Sequence, residues 1–495
     1  MTHISETSSH TSEWVESIKL SIEASTNATF LHHQLQNTSH FEPPQVEGWV
    51  QPKSVEDIQL ILRQANDNKT PIYPYSLGLN WGLGSRLPVE DGCVLLDLSQ
   101  MNKIIRVEPH FHYAIIEPGV TQQAMFEHLK NNNLGMMLNV TGSSPAASII
   151  GNMLERGSGF LKHKIEDLLG LEVVLPNGNI IKTGFWAEVE NGRDVANFKY
   201  GVGPDLTGLF CQGNFGVVTK AVVRLYPNKQ VSKMLWCKLD QVRLPEFVEN
   251  IARLFQEGHL HSVMHIGNDK RMKIENQNLE DTSVWTGMCK IAGRTGYINW
   301  LETELKQELS PLCIDMQFFG EHELPDENLA HIYGCHVGKP TDFFVRAMYQ
   351  SVGETLQDGE LDIDKGRIGM LCCLPVLPAK ADAIKRAAEI LDEVAKSHGI
   401  LAAGTFNPID GYNLEAVINL YFDRRKPEEV KQAHAANDAL HDAFHASGFK
   451  FYRLDVKNMN RVFDYKPTYW QTVNELKSAL DPNGVIAPGR YHFKK

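Results

Sequence analysis

The chain has no uninterrupted apolar run near the roughly 18 residues that a membrane-spanning helix needs, which points to a soluble protein. Its opening residues, Met1 to Leu20, are rich in Ser, Thr, His and Glu. They lack a basic start followed by an apolar stretch, so no secretory leader is expected and the sequence reads as cytoplasmic. Basic residues are also in deficit, 48 against 60 acidic ones, for a formal charge of −12. Nucleic acid and anionic lipid are therefore not expected as partners. The eight cysteines stand alone except for the adjacent Cys372 and Cys373. That spacing offers neither a disulfide framework nor a Cys-x-x-Cys metal or redox site, and the thiols read as free and buried. Without export, the glycosylation-like triplets at Asn27, Asn37 and Asn139 carry little meaning. The 20 histidines include no His-Glu-x-x-His, so no metal site is expected, and His32, His33 and His163 read as ordinary surface or core residues. The nicotinamide and mononucleotide glycine fingerprints are missing as well.

What is present is a globular composition, 42% hydrophobic and 22% charged over 495 residues, which is long enough for two domains. Residues 1 to about 45 form a polar arm, expected to be partly helical and to end near Pro43 and Pro44. Ser54-Val-Glu-Asp57 ahead of Ile58, Leu60, Ile61 and Leu62 reads as a capping box opening an amphipathic helix that runs to about Asn66. Short strands follow at Ile72–Tyr75, Cys93–Asp97 and Tyr113–Ile116, and Thr121 caps a helix to about Lys130. Leu171–Leu175 and Ile180–Thr183 form a hairpin around Asn177-Gly178. From about Lys229 the texture changes to strands such as Ser262–His265 and Gly369–Cys372 alternating with long helices. Two of these helices are clear, Pro378 to about Ser397 and Glu428 to about Ala446, and the second is stopped by Gly448. A last helix spans about Thr468 to Leu480, and compact glycine-rich texture then returns. The chain is read as leaving a first domain and coming back to it.

Four segments carry the chemical signal. Pro74-Tyr-Ser-Leu-Gly78-Leu-Asn-Trp-Gly82-Leu-Gly84-Ser85 places glycines where backbone can turn with positive φ and point N–H groups inward, as a pyrophosphate nest requires. Taken alone, this segment also fits an ordinary turn between strands. Thr141 to Gly159 is dense in small residues that let backbone lie against a planar ligand, with Ser and Asn to hydrogen-bond it. The third segment runs from Tyr200-Gly-Val-Gly-Pro204-Asp205 into Asn214-Phe-Gly216-Val-Val-Thr219, and the fourth is Asp481-Pro-Asn-Gly-Val-Ile-Ala-Pro-Gly489-Arg490. In this order and at these separations they resemble the vanillyl-alcohol oxidase and p-cresol methylhydroxylase flavoprotein family, over about residues 45–228 and 448–490.

The resemblance implies an α+β fold: a p-cresol methylhydroxylase-type FAD-binding domain of two α+β subdomains at 1–228 and 448–495, and a cap domain at 229–447 with a helix-covered antiparallel sheet. It implies FAD, with Ser76, Gly78, Leu79 and Asn80 at the pyrophosphate. Ser148, Gly151, Asn152 and Arg156 would approach pyrophosphate and flavin, Val217 and Val218 the adenosine half, and Arg490 the ring end. Tyr452 and Arg453 fit the family's phenolate clamp, in which a cation and O–H donors lower the phenol's pKa. The sequence departs from the family at three points. A second clamp tyrosine is replaced by Leu83, the acidic residue near flavin N5 falls at Ser143 or Ser144, and no His follows Gly404 to tether FAD covalently. A base from the cap, Glu415, Asp410 or His265, would then be needed, Tyr412 is the only residue of that stretch placed to act as a linker, and dissociable FAD is expected.

The expected activity is therefore oxidation of a small organic molecule, an aryl alcohol or alkylphenol, by hydride transfer to the flavin. Oxygen or another acceptor would take the electrons, and a homodimer is compatible with the resemblance. The alternatives are a flavin dehydrogenase of specialised metabolism acting on a non-phenolic alcohol or amine, and a catalytically silent binding subunit of the same fold.

Overall fold

The computed structural model describes residues 13, 25–27, 35–188, 196–275, 284–355, 361–463 and 467–492. Most of the N-terminal arm, with His32 and His33, lies outside them. The first layer is a four-stranded sheet, β1 (Ser25–Asn27), β2 (Val46–Gln51), β3 (Ile72–Tyr75) and β4 (Cys93–Asp97), in the order β1-β2-β4-β3 with β4 parallel to both neighbours. Helix α1 (Val55–Asn68) makes the β2-to-β3 crossover. Ser54 and Asp57 form the reciprocal capping box, Ile58, Ile61, Leu62 and Ala65 face inward, and Lys69 ends the helix in the left-handed region.

Strands β5 (Ile104–Glu108), β6 (Tyr113–Ile116), β7 (Met136–Met137), β8 (Leu168–Val174), β9 (Ile180–Lys182), β10 (Val217–Arg224) and β11 (Tyr226–Pro227) follow. Five of them form an antiparallel sheet in the order β5-β6-β10-β8-β9, while β7 pairs with β11. The β8–β9 turn is the one the sequence signals, with Gly178 at φ +80°. Helix α2 (Gln122–Asn131), capped by Thr121, and the short α3 (Ile149–Leu154), capped by Ser148, complete this half.

The cap is an eight-stranded antiparallel sheet of β12 (Val231–Asp240), β13 (His265–Gly267), β14 (Val284–Gly293), β15 (Asp315–Phe319), β16 (Ile368–Pro378), β17 (Ala402–Pro408), β18 (Asn413–Asp423) and β19 (Lys450–Arg453). Its helices are α4 (Leu244–Gln256), α5 (Asp269–Glu275), α6 (Thr295–Leu309), α7 (Glu327–His336), α8 (Phe343–Ser351), α9 (Ala381–His398) and α10 (Pro427–Ala446), with α11 (Pro467–Leu480) following β19. Helices α4, α9 and α10 cover one face. They bury Phe247, Ile384, Leu391, Leu440 and Phe444 against Leu371, Cys373, Phe406 and Ile418 of the sheet, each such side chain stabilising by about 1.5–3 kcal/mol.

Three details differ from the sequence reading. Strand β19 pairs with β16, so by sheet membership the chain leaves the cap after Arg453 rather than at 447/448. Pro378 ends β16, and α9 begins three residues later. Of Ser262–His265 only His265 is in strand, because the Val263 and Met264 N–H groups go to the Leu161 and Pro408 carbonyls outside a ladder. The cysteines are free, seven buried and Cys313 partly exposed. No described helix is long and apolar enough to cross a membrane.

Candidate cofactor and substrate site

Side chains alternate along a strand, so the cap sheet turns a second face toward the first two sheets. His265 and Gly267 of β13, Thr405 and Asn407 of β17, Val417 and Asn419 of β18, and Met370, Cys372 and Leu374 of β16 form that wall. Opposite it lie the glycine-rich loops, and between them runs a cleft of about 380 Å³, open to solvent.

The loop after β3 supplies the first wall element. Gly78, Gly82 and Gly84 have φ of +72°, +75° and +104°, and Ser85 follows at +54°. The N–H groups of Gly82 and Gly84 are taken by Thr38 Oγ1 (3.2 Å) and Ser39 Oγ (3.1 Å) of the N-terminal arm. Among the described residues, the backbone N–H groups of Leu77, Gly78, Leu79, Asn80 and Trp81 have no protein acceptor. Consecutive unused N–H groups at a cleft wall make an anion-binding concavity.

The second element is built on α3. Ser148 Oγ accepts from Gly151 N (2.9 Å) and donates to the Pro118 carbonyl (2.6 Å). A Cβ on Gly151 would collide with Ser76 Oγ, and one on Gly157 with the Asn152 side chain, so either substitution would displace a side chain that lines the cleft. Ser143 Oγ, Asn152 Oδ1 and Ser158 Oγ are buried without a hydrogen-bond partner among the described residues, and all three residues line the cleft.

Ser76, Gly78, Leu79, Asn80, Ser148, Gly151, Asn152, Val218, Arg490, Tyr452 and Arg453 all line this one cleft. Two residues expected there do not. Val217 and Val218 are neighbours on β10, so their side chains point to opposite faces, and Val217 is buried in the core behind the sheet. Arg156, at φ +53°, lines an adjoining cavity with Cys211, Phe215 and Trp470, which shares Gln212, Gly213, Tyr452 and Arg453 with the cleft.

Arg490 is 8% exposed and no solvated terminal charge. Its Nη1 donates to Tyr73 Oη (3.1 Å) and its Nη2 to Glu155 Oε1. Burial alone would lower its pKa, but Glu155 and Tyr73 more than offset that and hold it charged. Glu155 Oε2 also lies 3.9 Å from Arg453 Nε, and Arg453 Nη2 donates to Asn80 Oδ1. One carboxylate thus sits between two arginines. Asp455, two residues along, is not a partner of Arg453 but is occupied by Asn437, Asn458 and the Lys457 N–H.

Tyr452 stands beside Arg453, and burial, followed by the Glu415 charge, pushes its hydroxyl pKa well above the usual value. Leu83 is 2% exposed and lines the cleft where the family pattern has a tyrosine. Ser144 is buried and accepts from Ala146 N, while Ser143 faces the cleft. Of the base candidates, Asp410 is bound into the β17–β18 turn by Tyr412 N and Asn413 N, each at 2.7 Å. His265 Nδ1 meets Asn407 Oδ1 at 3.0 Å, and burial lowers its pKa to about 4, so it is neutral at pH 7. Glu415, opposite Asn407, is 2% exposed and contacts His163 Nδ1. Tyr412 is 69% exposed at the hairpin turn, away from the cleft lining.

A family model described as FAD binding domain matches residues 46–184. The 4-cresol dehydrogenase [hydroxylating] flavoprotein subunit of Pseudomonas putida is 30% identical over 463 residues, covering 88% of this chain and 86% of that protein. The chain belongs to the p-cresol methylhydroxylase-type FAD-binding family. A 1'-carboxy-chondrochloren decarboxylase of Chondromyces crocatus is 28% identical over 489 residues, 90% of each chain. The crystal structure of p-cresol methylhydroxylase with substrate bound superposes with a TM-score of 0.87 at 25% identity, covering 99% of this chain and 97% of that one. This member of the family is an FAD-dependent oxidoreductase of α+β fold.

The cleft fits that cofactor. A row of unused N–H groups suits a pyrophosphate, and the orphaned Ser143, Asn152 and Ser158 oxygens are hydrogen-bond partners for a polar ligand along the same wall. Sequence reasoning passed over Tyr73, Phe160, Arg271 and Phe344, which also line the cleft. Glu155 was visible beside the quoted Gly151-Asn152 pair, but its place between two arginines depends on residues some 300 positions away.

Proposed function

We propose that the enzyme oxidises a small para-substituted phenol or related aryl alcohol, held between the aromatic cap wall and a clamp of Tyr452 and Arg453. The observation that supports this reading most directly is that Tyr452 and Arg453 share one cleft with the glycine loops and with Phe160, Phe344, Met348 and Met370. Aromatic and thioether surfaces suit an aryl ring. A guanidinium with a hydroxyl beside it suits the oxygen anion of a phenolate. Bound FAD supplies the hydride acceptor. The protein's share is to orient the ring, exclude water with the apolar wall, and stabilise negative charge at the phenol oxygen. Ser76 to Asn80, Ser148, Gly151, Asn152, Val218 and Arg490 would hold the cofactor.

FAD is proposed to be dissociable. Thr405, Asn407, Val417 and Asn419 are the hairpin residues on the cleft wall, and none is a His, Tyr or Cys. Cys372 on the next strand is kept a thiol by burial, with a pKa of about 12.

A second reading has its own support. Arg271 of α5 lines the cleft, donates to Tyr421 Oη at 3.3 Å and stacks over Phe344 at 5.9 Å. A cation there suits an aryl substrate bearing a carboxylate, in keeping with the decarboxylase named among the relatives. Anaerobic flavin reduction across para-alkylphenols, hydroxyaryl carboxylic acids, aliphatic alcohols and amines tests both. Reduction by the phenols alone supports the first reading, preference for the acids the second, and reduction only by the alcohols or amines removes both.

A further inference from the structure

The adjoining cavity measures about 390 Å³, close to the cleft itself and within the range that small ligands fill. Strand β19, at the edge of the cap sheet, lines it from Lys450 to Arg453, and α11 lines it through Tyr469, Trp470 and Val473. The wall it shares with the cleft is held by hydrogen bonds. Gln212, at φ +54°, donates from Nε2 to the carbonyls of Tyr452 (3.0 Å) and Glu155 (3.4 Å), tying β19 to the end of α3. Phe215, Phe451, Tyr452, Tyr469, Trp470 and Tyr491 give the cavity an aromatic lining. Trp470 and Tyr491 stack at 11° with 6.4 Å between centroids. Trp470 Nε1 donates to the Val462 carbonyl (2.8 Å) and Tyr491 Oη accepts from the Leu454 N–H (3.1 Å), so ring surface is what this pair offers a ligand. The charges are of one sign: Arg156, Lys450 and Arg453 line the cavity, and no Asp or Glu does so among the described residues. Arg453 is engaged by Asn80 and Glu155, and Glu155 by Arg490 as well. Arg156 is half-buried, and its guanidinium makes no hydrogen bond or ion pair among the described residues. Its backbone sits at φ +53°, which a non-glycine residue adopts at a cost.

We propose that this cavity is a second ligand site, which takes a small planar aromatic carboxylate. Its ring would lie among the aromatic side chains around Trp470 and Tyr491, and its carboxylate would meet the guanidinium of Arg156. Ring-on-ring contact rewards the flat aromatic body. A guanidinium whose donors are not taken up by the protein binds a carboxylate through two parallel hydrogen bonds. Lys450, which is exposed, adds a second positive charge and disfavours a cationic ligand. The site is independent of the substrate that the cleft oxidises, and no bond is made or broken in it. Its occupant would touch the same strand that carries Tyr452 and Arg453 into the cleft.

The test is titration calorimetry of the FAD-loaded enzyme with 2-naphthoate, and with the neutral 2-naphthylmethanol as control. The carboxylate should bind at least about tenfold more tightly than the alcohol, the range of one hydrogen-bonded charge. Arg156→Asn, a residue that accepts the left-handed backbone, should weaken 2-naphthoate by at least about tenfold with flavin content unchanged. Arg156→Lys keeps the charge and should bind within about threefold of wild type, losing only the paired geometry. Arg271→Gln alters the cleft alone and should leave this binding within about twofold of wild type, as distant sites do. If Arg156→Asn fails to hold FAD, Lys450→Gln decides, with an expected loss of about threefold for an exposed charge. No binding to wild type, equal affinity for the alcohol, or binding that follows Arg271 and ignores Arg156 overturns the site. None of these results bears on flavin reduction, so the reading of the cleft stands or falls by its own experiment.

Discussion

Glu155 carries one negative charge and faces two guanidinium groups, so the cluster of Glu155, Arg453 and Arg490 has an excess positive charge on the cleft wall. Such a charge on the cleft wall suits an anionic group of the cofactor or substrate. The neighbouring histidines do not add to it. His265 and His336 are both held neutral, by burial first, and His336 further by His265 and Lys290. Arg453 is the cation next to Tyr452 on β19, and its removal is informative. Arg453→Ala should slow flavin reduction by about a hundredfold, as the loss of one preorganised anion donor does, while FAD stays bound through the loops and Arg490. Stopped-flow reduction and flavin content measured on the same preparation check this. A reduction rate within threefold of wild type would remove the anion-clamp role.

The loop after β3 shows how an element can be legible in sequence while its partners are not. Its glycines stand out because only they take the φ values it needs at low cost, and the same local chemistry made the Ser54 capping box, the Asn177-Gly178 hairpin and the Thr121 cap readable. Strand β19 was not readable as part of the cap, because its four residues find β16 some 75 positions earlier. Val217 was misplaced for a similar reason: a family motif names both valines, but strand alternation allows only one into the cleft. Gly78→Asp should give protein that purifies with little flavin, since φ +72° would be forced on a non-glycine residue and its side chain would press on Arg86 against the loop. Absorbance at the flavin band relative to 280 nm measures it, and full flavin content would take the loop out of the site.

At the scale of the molecule, Asp364 ties three parts together. Its Oδ1 accepts from the Thr38 N–H of the arm and from Ser85 Oγ of the glycine loop, both at 2.7 Å, and its own segment leads into β16 of the cap. Burial, then the Asp362 charge, raises its pKa to about 7, with Ser85, Arg86 and Thr38 opposing. The folded protein thus binds this proton more tightly than the unfolded chain, whose Asp titrates near 3.9. Its contribution to stability is full below about pH 4 and is lost as pH rises toward 7. Asp364→Asn should flatten that slope, which urea unfolding between pH 5 and pH 8 would show as a smaller change in midpoint. An unchanged slope would mean that another group sets it.

The order in which the chain is made acquires a meaning from one pairing. Ile72, at the head of the glycine loop, exchanges backbone hydrogen bonds with Val485 (2.7 Å) and Ala487 (2.8 Å), and the Ala487 carbonyl accepts from Asn214. Tyr73 waits on Arg490 in the same way. While the ribosome is still adding the last tenth of these residues, the cofactor cradle has one wall missing. Flavin capture is therefore expected to wait on the docking of two segments more than 400 positions apart. Contacts of such sequence separation form slowly, so closing the cradle, and with it flavin capture, is expected to lag the folding of the sheets on either side.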